Sequence, residues 1–149
     1  MKIRWMVFLL LVVTLVPSYA VGSKLQDGTY KVAFDAPDAF GYKEFVEITV
    51  VGGRIDSAVF DALNTADGTL KSEEAGYETQ MKNAVGVGPK EYMKQLVREL
   101  LDQQNAHVDS VAVATESSAN FRMLAAEAIK KAMAGDTSEG TLPQPHPKS

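Results

Sequence analysis

The chain has 149 residues, a formal net charge of −4 and no cysteine. That length supports one modest domain with a single core. Mild acidity argues against nucleic acid or anionic membrane surfaces as partners, and the missing cysteine excludes disulfides and a lipid anchor on a signal-peptide cysteine.

The first residues read as an export signal. Lys2 and Arg4 precede an apolar run from Trp5 to Val16, and Pro17-Ser18-Tyr19-Ala20 ends it with small residues at the third-last and last positions. This charged, apolar, small-x-small order predicts cleavage after Ala20 and a mature protein that is periplasmic, cell-surface or secreted. The apolar run is shorter than the ~20 residues that span a bilayer. The domain is expected over residues 21–136. Thr137–Ser149, with three prolines and little that is apolar, is expected to be a disordered tail.

Asp27-Gly28 opens the domain as a turn, and Thr29–Phe34 alternates polar with apolar residues as a half-buried strand does. After a loop over Ala36–Gly41, Phe45–Val51 and Ile55–Leu63 alternate in the same way. Gly52-Gly53 between them is a hairpin signal, because both residues tolerate positive φ. Asn64–Leu70 is a loop, and a helix follows from Ser72, with Tyr77, Met81 and Ala84 on one face. Gly86–Gly88 breaks the chain, and Pro89 suits the first turn of a helix whose stripe is Tyr92, Leu96, Val97, Leu100 and Leu101. Val108–Val113 is β-branched and short, a predicted strand. Ala119–Ala134 carries Phe121, Leu124, Ala125, Ala128, Ile129 and Ala132 on one face and ends at Gly135. Strands first and helices afterwards predict a single α+β domain, an antiparallel sheet packed against helices.

Several chemistries fall away on spacing. His107 and His146 stand alone, and without cysteine zinc would need carboxylates gathered from afar. Asp67, Gly68 and Glu74 fit half of a calcium loop, but Leu63 and Thr65 stand where its first acids belong. No metal site and no catalytic residue are assigned. Ser117 and Ser118 lack the Gly-x-Ser-x-Gly elbow of a hydrolase nucleophile. What remains is the hydroxyl cluster of Thr115, Ser117 and Ser118 at a helix start. There the hydroxyls either cap the helix or join its free N–H groups around a phosphate.

Asp109-Ser-Val-Ala-Val-Ala-Thr-Glu-Ser-Ser118 resembles the signature of the FMN-binding domain family: Asp, two residues, Ser or Thr, Gly, Ala, Thr, any residue, Ser or Thr, then Ser. The resemblance extends to Asp27-Gly28-Thr29-Tyr30, the hairpin Phe45–Phe60 and the helix Pro89–Leu101, most of the mature chain. It is closest to small exported bacterial members, related to FMN-carrying subunits of quinone and ferredoxin oxidoreductases. It implies FMN held by its phosphate at Thr115, Ser117 and Ser118, with Thr115 matching the motif threonine that can receive FMN through a phosphoester from a dedicated flavin transferase. Asp109, Ala114, Ser117 and Ser118 are the other motif positions. Tyr77, Met81 and Phe121 are candidate walls for the flavin ring, because a flat apolar surface suits it. The implied role is an electron carrier outside the cytoplasm, served by a membrane reductase or another carrier, rather than an enzyme on its own. The departures are Ala112 and Val113, where the family has a hydroxyl residue and glycine. Valine resists the positive φ that glycine accepts. The alternative is therefore a flavin-free exported or surface binding protein on the same scaffold.

Overall fold

A computed structural model describes residues 24–146. The expected signal peptide, Met1–Ala20, lies outside the described residues. Among those residues, four strands form one sheet in the order β3-β2-β1-β4: β1 (Gly28–Phe34), β2 (Tyr42–Val51), β3 (Arg54–Asn64) and β4 (Gly140–Leu142). Three helices accompany them: α1 (Ala75–Val85), α2 (Pro89–Gln103) and α3 (Thr115–Ala134).

The alternation in β1 to β3 determines the fold. Tyr30, Val32, Val46, Ile48 and Val50 share the inner face, and α3 covers it with Phe121, Leu124, Ala125, Ala128 and Ala132. The α2 stripe of Tyr92, Met93, Leu96 and Leu100 closes the core over β3. Phe60 and Phe121 join the two halves, with ring centroids 5.0 Å apart. The hairpin turn falls at Gly52-Gly53, whose φ values of 62° and 77° need residues without Cβ. Helix α1 buries none of its residues completely. It is tied to α2 instead by Glu78, whose carboxylate accepts the Lys90 N–H at 3.0 Å in the first turn of α2.

Four expectations change. The sheet is antiparallel over β1, β2 and β3 as expected, but β4 runs parallel to β1, with Gly140 opposite Val32, and makes it mixed. That strand lies in the stretch read as a disordered tail. The Asp35 N–H donates to the Leu142 carbonyl, and the Asp35 carboxylate accepts the Gln144 N–H, so the β1 edge holds the segment despite its prolines. Val108–Val113 is not a strand. Its buried valines, Val108 and Val111, are three residues apart rather than two, and side chains take its N–H groups. Finally, α3 begins at Thr115, four residues before the expected start, so the hydroxyl cluster is its first turn.

Candidate functional site

The α3 helix starts without a side-chain cap. Its N-cap residue is Ala114, and neither Thr115 nor Ser117 caps it. The N–H groups of Thr115, Glu116 and Ser117 find no acceptor among the described residues, while the Ser118 N–H begins the helical ladder at Ala114. Three free donors and the positive end of a 20-residue helix therefore face outward together. The connection into this end is strained: Val113 has φ +66° and is 50% exposed. A β-branched residue in the left-handed region is a genuine outlier. This is the position where the resembled signature has glycine.

A cavity of about 230 Å³ opens at this helix end. Ala114, Thr115, Ser117 and Val113 form one side, and Tyr77 and Met81 of α1 form another. Glu44 of β2, Tyr92 of α2, Asn120 of α3 and Lys71 supply buried polar walls, and Asp38 and the exposed Phe40 stand at the rim. Lys71 comes from a short 3-10 turn, Lys71–Glu73, between β3 and α1.

Two buried charges dominate the cavity. Glu44 is 2% exposed and Lys71 is 7% exposed, yet they are not ion-paired. Asn120 donates to the Glu44 carboxylate at 2.6 Å. Burial pushes the Glu44 carboxyl above its usual range, while the Asn120 hydrogen bond, the Lys71 charge and Ser117 pull it back. The Lys71 ammonium makes neither a hydrogen bond nor an ion pair with any described residue. Its Nζ lies 4.9 Å from the Tyr42 ring centroid and 5.5 Å from that of Tyr77, a cation against two aromatic faces. Burial works against the Lys71 charge, but Tyr92, Tyr77, Glu44 and Asp38 outweigh it and its pKa lies above the usual lysine value. The Tyr42 and Tyr77 rings are stacked at 6.4 Å, and the Tyr42 hydroxyl donates to Glu74 at 2.7 Å. Burial and Glu74 push the Tyr42 phenol well above its usual pKa.

The motif residues separate into two groups. Ala114, Thr115, Ser117, Tyr77 and Met81 meet at the cavity. Ser118, Asp109 and Phe121 do not. Ser118 is fully buried, donating to the Ala114 carbonyl at 2.7 Å and accepting the Val111 N–H at 3.0 Å. Phe121 is core, against Phe60. Asp109 is exposed, and its N–H donates to Glu99 at 2.9 Å. Glu44, Lys71, Asn120 and Tyr92 were not anticipated as site residues. Two carried a signal: Glu44 continues the inward phase of Val46, Ile48 and Val50, and Asn120 is four residues before Leu124 on the buried stripe. A polar side chain at a core phase needs a partner.

No protein-family model matches the chain. It is 34% identical over 115 residues to the 15 kDa lipoprotein of Treponema pallidum (strain Nichols), covering 76% of this chain and 81% of the lipoprotein. The chain belongs to the family of that lipoprotein. Among solved structures it is similar to the CPE2226 protein of Clostridium perfringens, at 33% identity and a TM-score of 0.78, over 80% of this chain and 98% of that one.

Proposed function

We propose that this protein is an exported FMN-binding protein that carries electrons outside the cytoplasm. One observation carries the reading: the free N–H groups that begin α3 lie at the same cavity as the Lys71 ammonium, which has no hydrogen-bond or ion-pair partner, and the Tyr77 and Met81 side chains. Such a helix end suits a phosphate, with the Thr115 and Ser117 hydroxyls beside it. Tyr77 and Met81 offer a flat, polarisable wall to a ring system. The helix-end donors thus suit the FMN phosphate, and the Tyr77 and Met81 wall suits its ring. A cavity of about 230 Å³ is smaller than the ~300–1,000 Å³ that enclose a drug-sized ligand, so part of the ring stays accessible. That exposure suits a carrier that exchanges electrons with a membrane reductase or another carrier. Bound FMN would supply the redox chemistry; the protein binds, orients and shields it.

Export is supported by the signal-like Met1–Ala20 and by the lipoprotein relative.

The test is the intact mass and visible spectrum of the mature protein, co-expressed with a flavin transferase and then denatured. Colour that stays with the denatured chain, with one FMN added in mass, establishes a phosphoester. Colour lost on denaturation establishes non-covalent FMN. A colourless protein, even with added FMN, would replace this reading with the flavin-free binding protein.

A further inference from the structure

Glu44 and Lys71 present an acceptor and a donor in one small cavity, from β2 and from the turn after β3, near enough to feel each other's charge but without forming an ion pair. Both residues are largely buried, yet the Lys71 Nζ and the free Glu44 oxygen keep access to the cavity, so each can meet a ligand there. Here Lys71 has aromatic faces behind it and no acceptor in front. Glu44 is held in place by Asn120 through one oxygen, which leaves acceptor capacity on the other. The remaining ionisable neighbours are Asp38 at the rim, the exposed Glu116 in the first turn of α3 and the phenols of Tyr77 and Tyr92, and the Ser117 hydroxyl reaches Tyr92 at only 3.5 Å. None of them closes the gap between the two charges.

A phosphate alone would leave Glu44 unused and would be repelled by it. A planar edge carrying an N–H donor flanked by carbonyl acceptors satisfies both residues at once. The pyrimidinedione edge of a flavin has this pattern. We propose that Glu44 and Lys71 are the specificity pair that reads this imide edge, Glu44 accepting its N–H and Lys71 donating to a flanking carbonyl. The inference rests on the FMN reading of the same cavity and adds which residues select the ring. Tyr42, stacked behind Lys71 and Tyr77, is then a positioning residue for the lysine.

The test titrates the wild-type protein, expressed without a transferase, with FMN and with FMN methylated at the imide nitrogen, following flavin fluorescence. The methyl group removes the donor and keeps the phosphate, carbonyls and ring. A hydrogen bond to a charged group predicts that the methylated ligand binds about tenfold more weakly or worse. Glu44→Ala should bind the two ligands with nearly equal affinity, and Glu44→Gln should recover part of the discrimination. Lys71→Met should weaken both ligands without changing their ratio. FMN binding in the wild type with no penalty for the methyl group would overturn the specificity pair and leave the FMN reading standing. Failure of the wild type to bind FMN at all would overturn both. The comparison of two ligands on the wild type can overturn the proposal even if the Glu44 variants fail to fold, and loss of the discrimination in Glu44→Ala ties it to Glu44 rather than to the bulk of the methyl group.

Discussion

Ser118 and Val111 are joined across the start of α3: the Ser118 hydroxyl accepts the Val111 N–H at 3.0 Å and donates to the Ala114 carbonyl at 2.7 Å. The bond draws the incoming chain back over the first helical turn, so the residues between must reverse sharply. Val113 absorbs that reversal at φ +66°. Ser118, read from the motif as a ligand contact, therefore builds the loop whose free N–H groups face the cavity. Ser118→Ala strands the buried Val111 N–H and should cost about 1–3 kcal/mol in urea unfolding. A change within ~0.5 kcal/mol would show that the loop holds its shape without the clamp.

Val113 gives the opposite expectation. A non-glycine residue in the left-handed region costs ~1–2 kcal/mol, and glycine's extra freedom in the unfolded chain returns ~0.5–1 kcal/mol of that. Val113→Gly should therefore be neutral or stabilising by up to about 1 kcal/mol, although the valine is apolar. Half of its surface is exposed, so little packing is lost. Combined with Ala112→Ser, the change restores the signature and should raise FMN occupancy under identical expression. Clear destabilisation by Val113→Gly would mean that its side chain supports the loop.

Glu44 makes stability depend on pH. Its carboxyl is pushed up from the ordinary 4.5, mainly by burial. A raised carboxyl pKa favours the fold below the unfolded-state value, and that contribution is lost as pH rises through the folded value. Glu44→Gln keeps an acceptor for Asn120 and removes the titration. The melting temperature of the variant should gain on the wild type as pH rises from 4.5 towards neutrality. A difference that stays constant with pH would show that Glu44 does not titrate in this window.

Much of the fold was legible because β1, β2 and β3 bury alternate residues and α2 and α3 carry continuous apolar stripes. Those periods are local, so Val46 and Leu96 announce their partners without help from the rest of the chain. The β4 strand was hidden because Gly140–Leu142 has no pattern of its own and exists only by pairing with β1. The site divides in the same way. Thr115 and Ser117 were readable as a helix start, and Tyr77 and Met81 as one face of α1. Lys71 was not, since a lysine between a loop and a helix usually points to solvent; only the closure of β3 and α1 around Tyr42 buries it.

Asp136 offers a pH test remote from the cavity. Lys131 and Ser138 hold its carboxyl down, from 3.8 to about 2, by direct hydrogen bonds. A depressed carboxyl pKa contributes stability above the unfolded value, and that contribution disappears as pH falls through the folded one. Asp136→Asn should lower the melting temperature at pH 6, and the gap to the wild type should close between about pH 4 and pH 2. A gap unchanged at pH 2 would show that the link acts through shape rather than charge.

Thr115 separates the cofactor question from the fold. Its side chain is exposed at the first position of α3, and its hydroxyl makes no hydrogen bond with any described residue. Alanine is the better helix former, and no cap is lost, so Thr115→Ala should leave stability within about 0.5 kcal/mol. Any FMN linked through a phosphoester should nevertheless be absent from the denatured variant in intact-mass analysis, even with the transferase present. Non-covalent FMN should persist at reduced affinity, because the N–H groups of Thr115, Glu116 and Ser117 do not depend on the side chain. Flavin that remained covalently attached to the alanine variant would move the attachment to another hydroxyl, with Ser117, the other cavity-lining hydroxyl of the first turn, the next to replace.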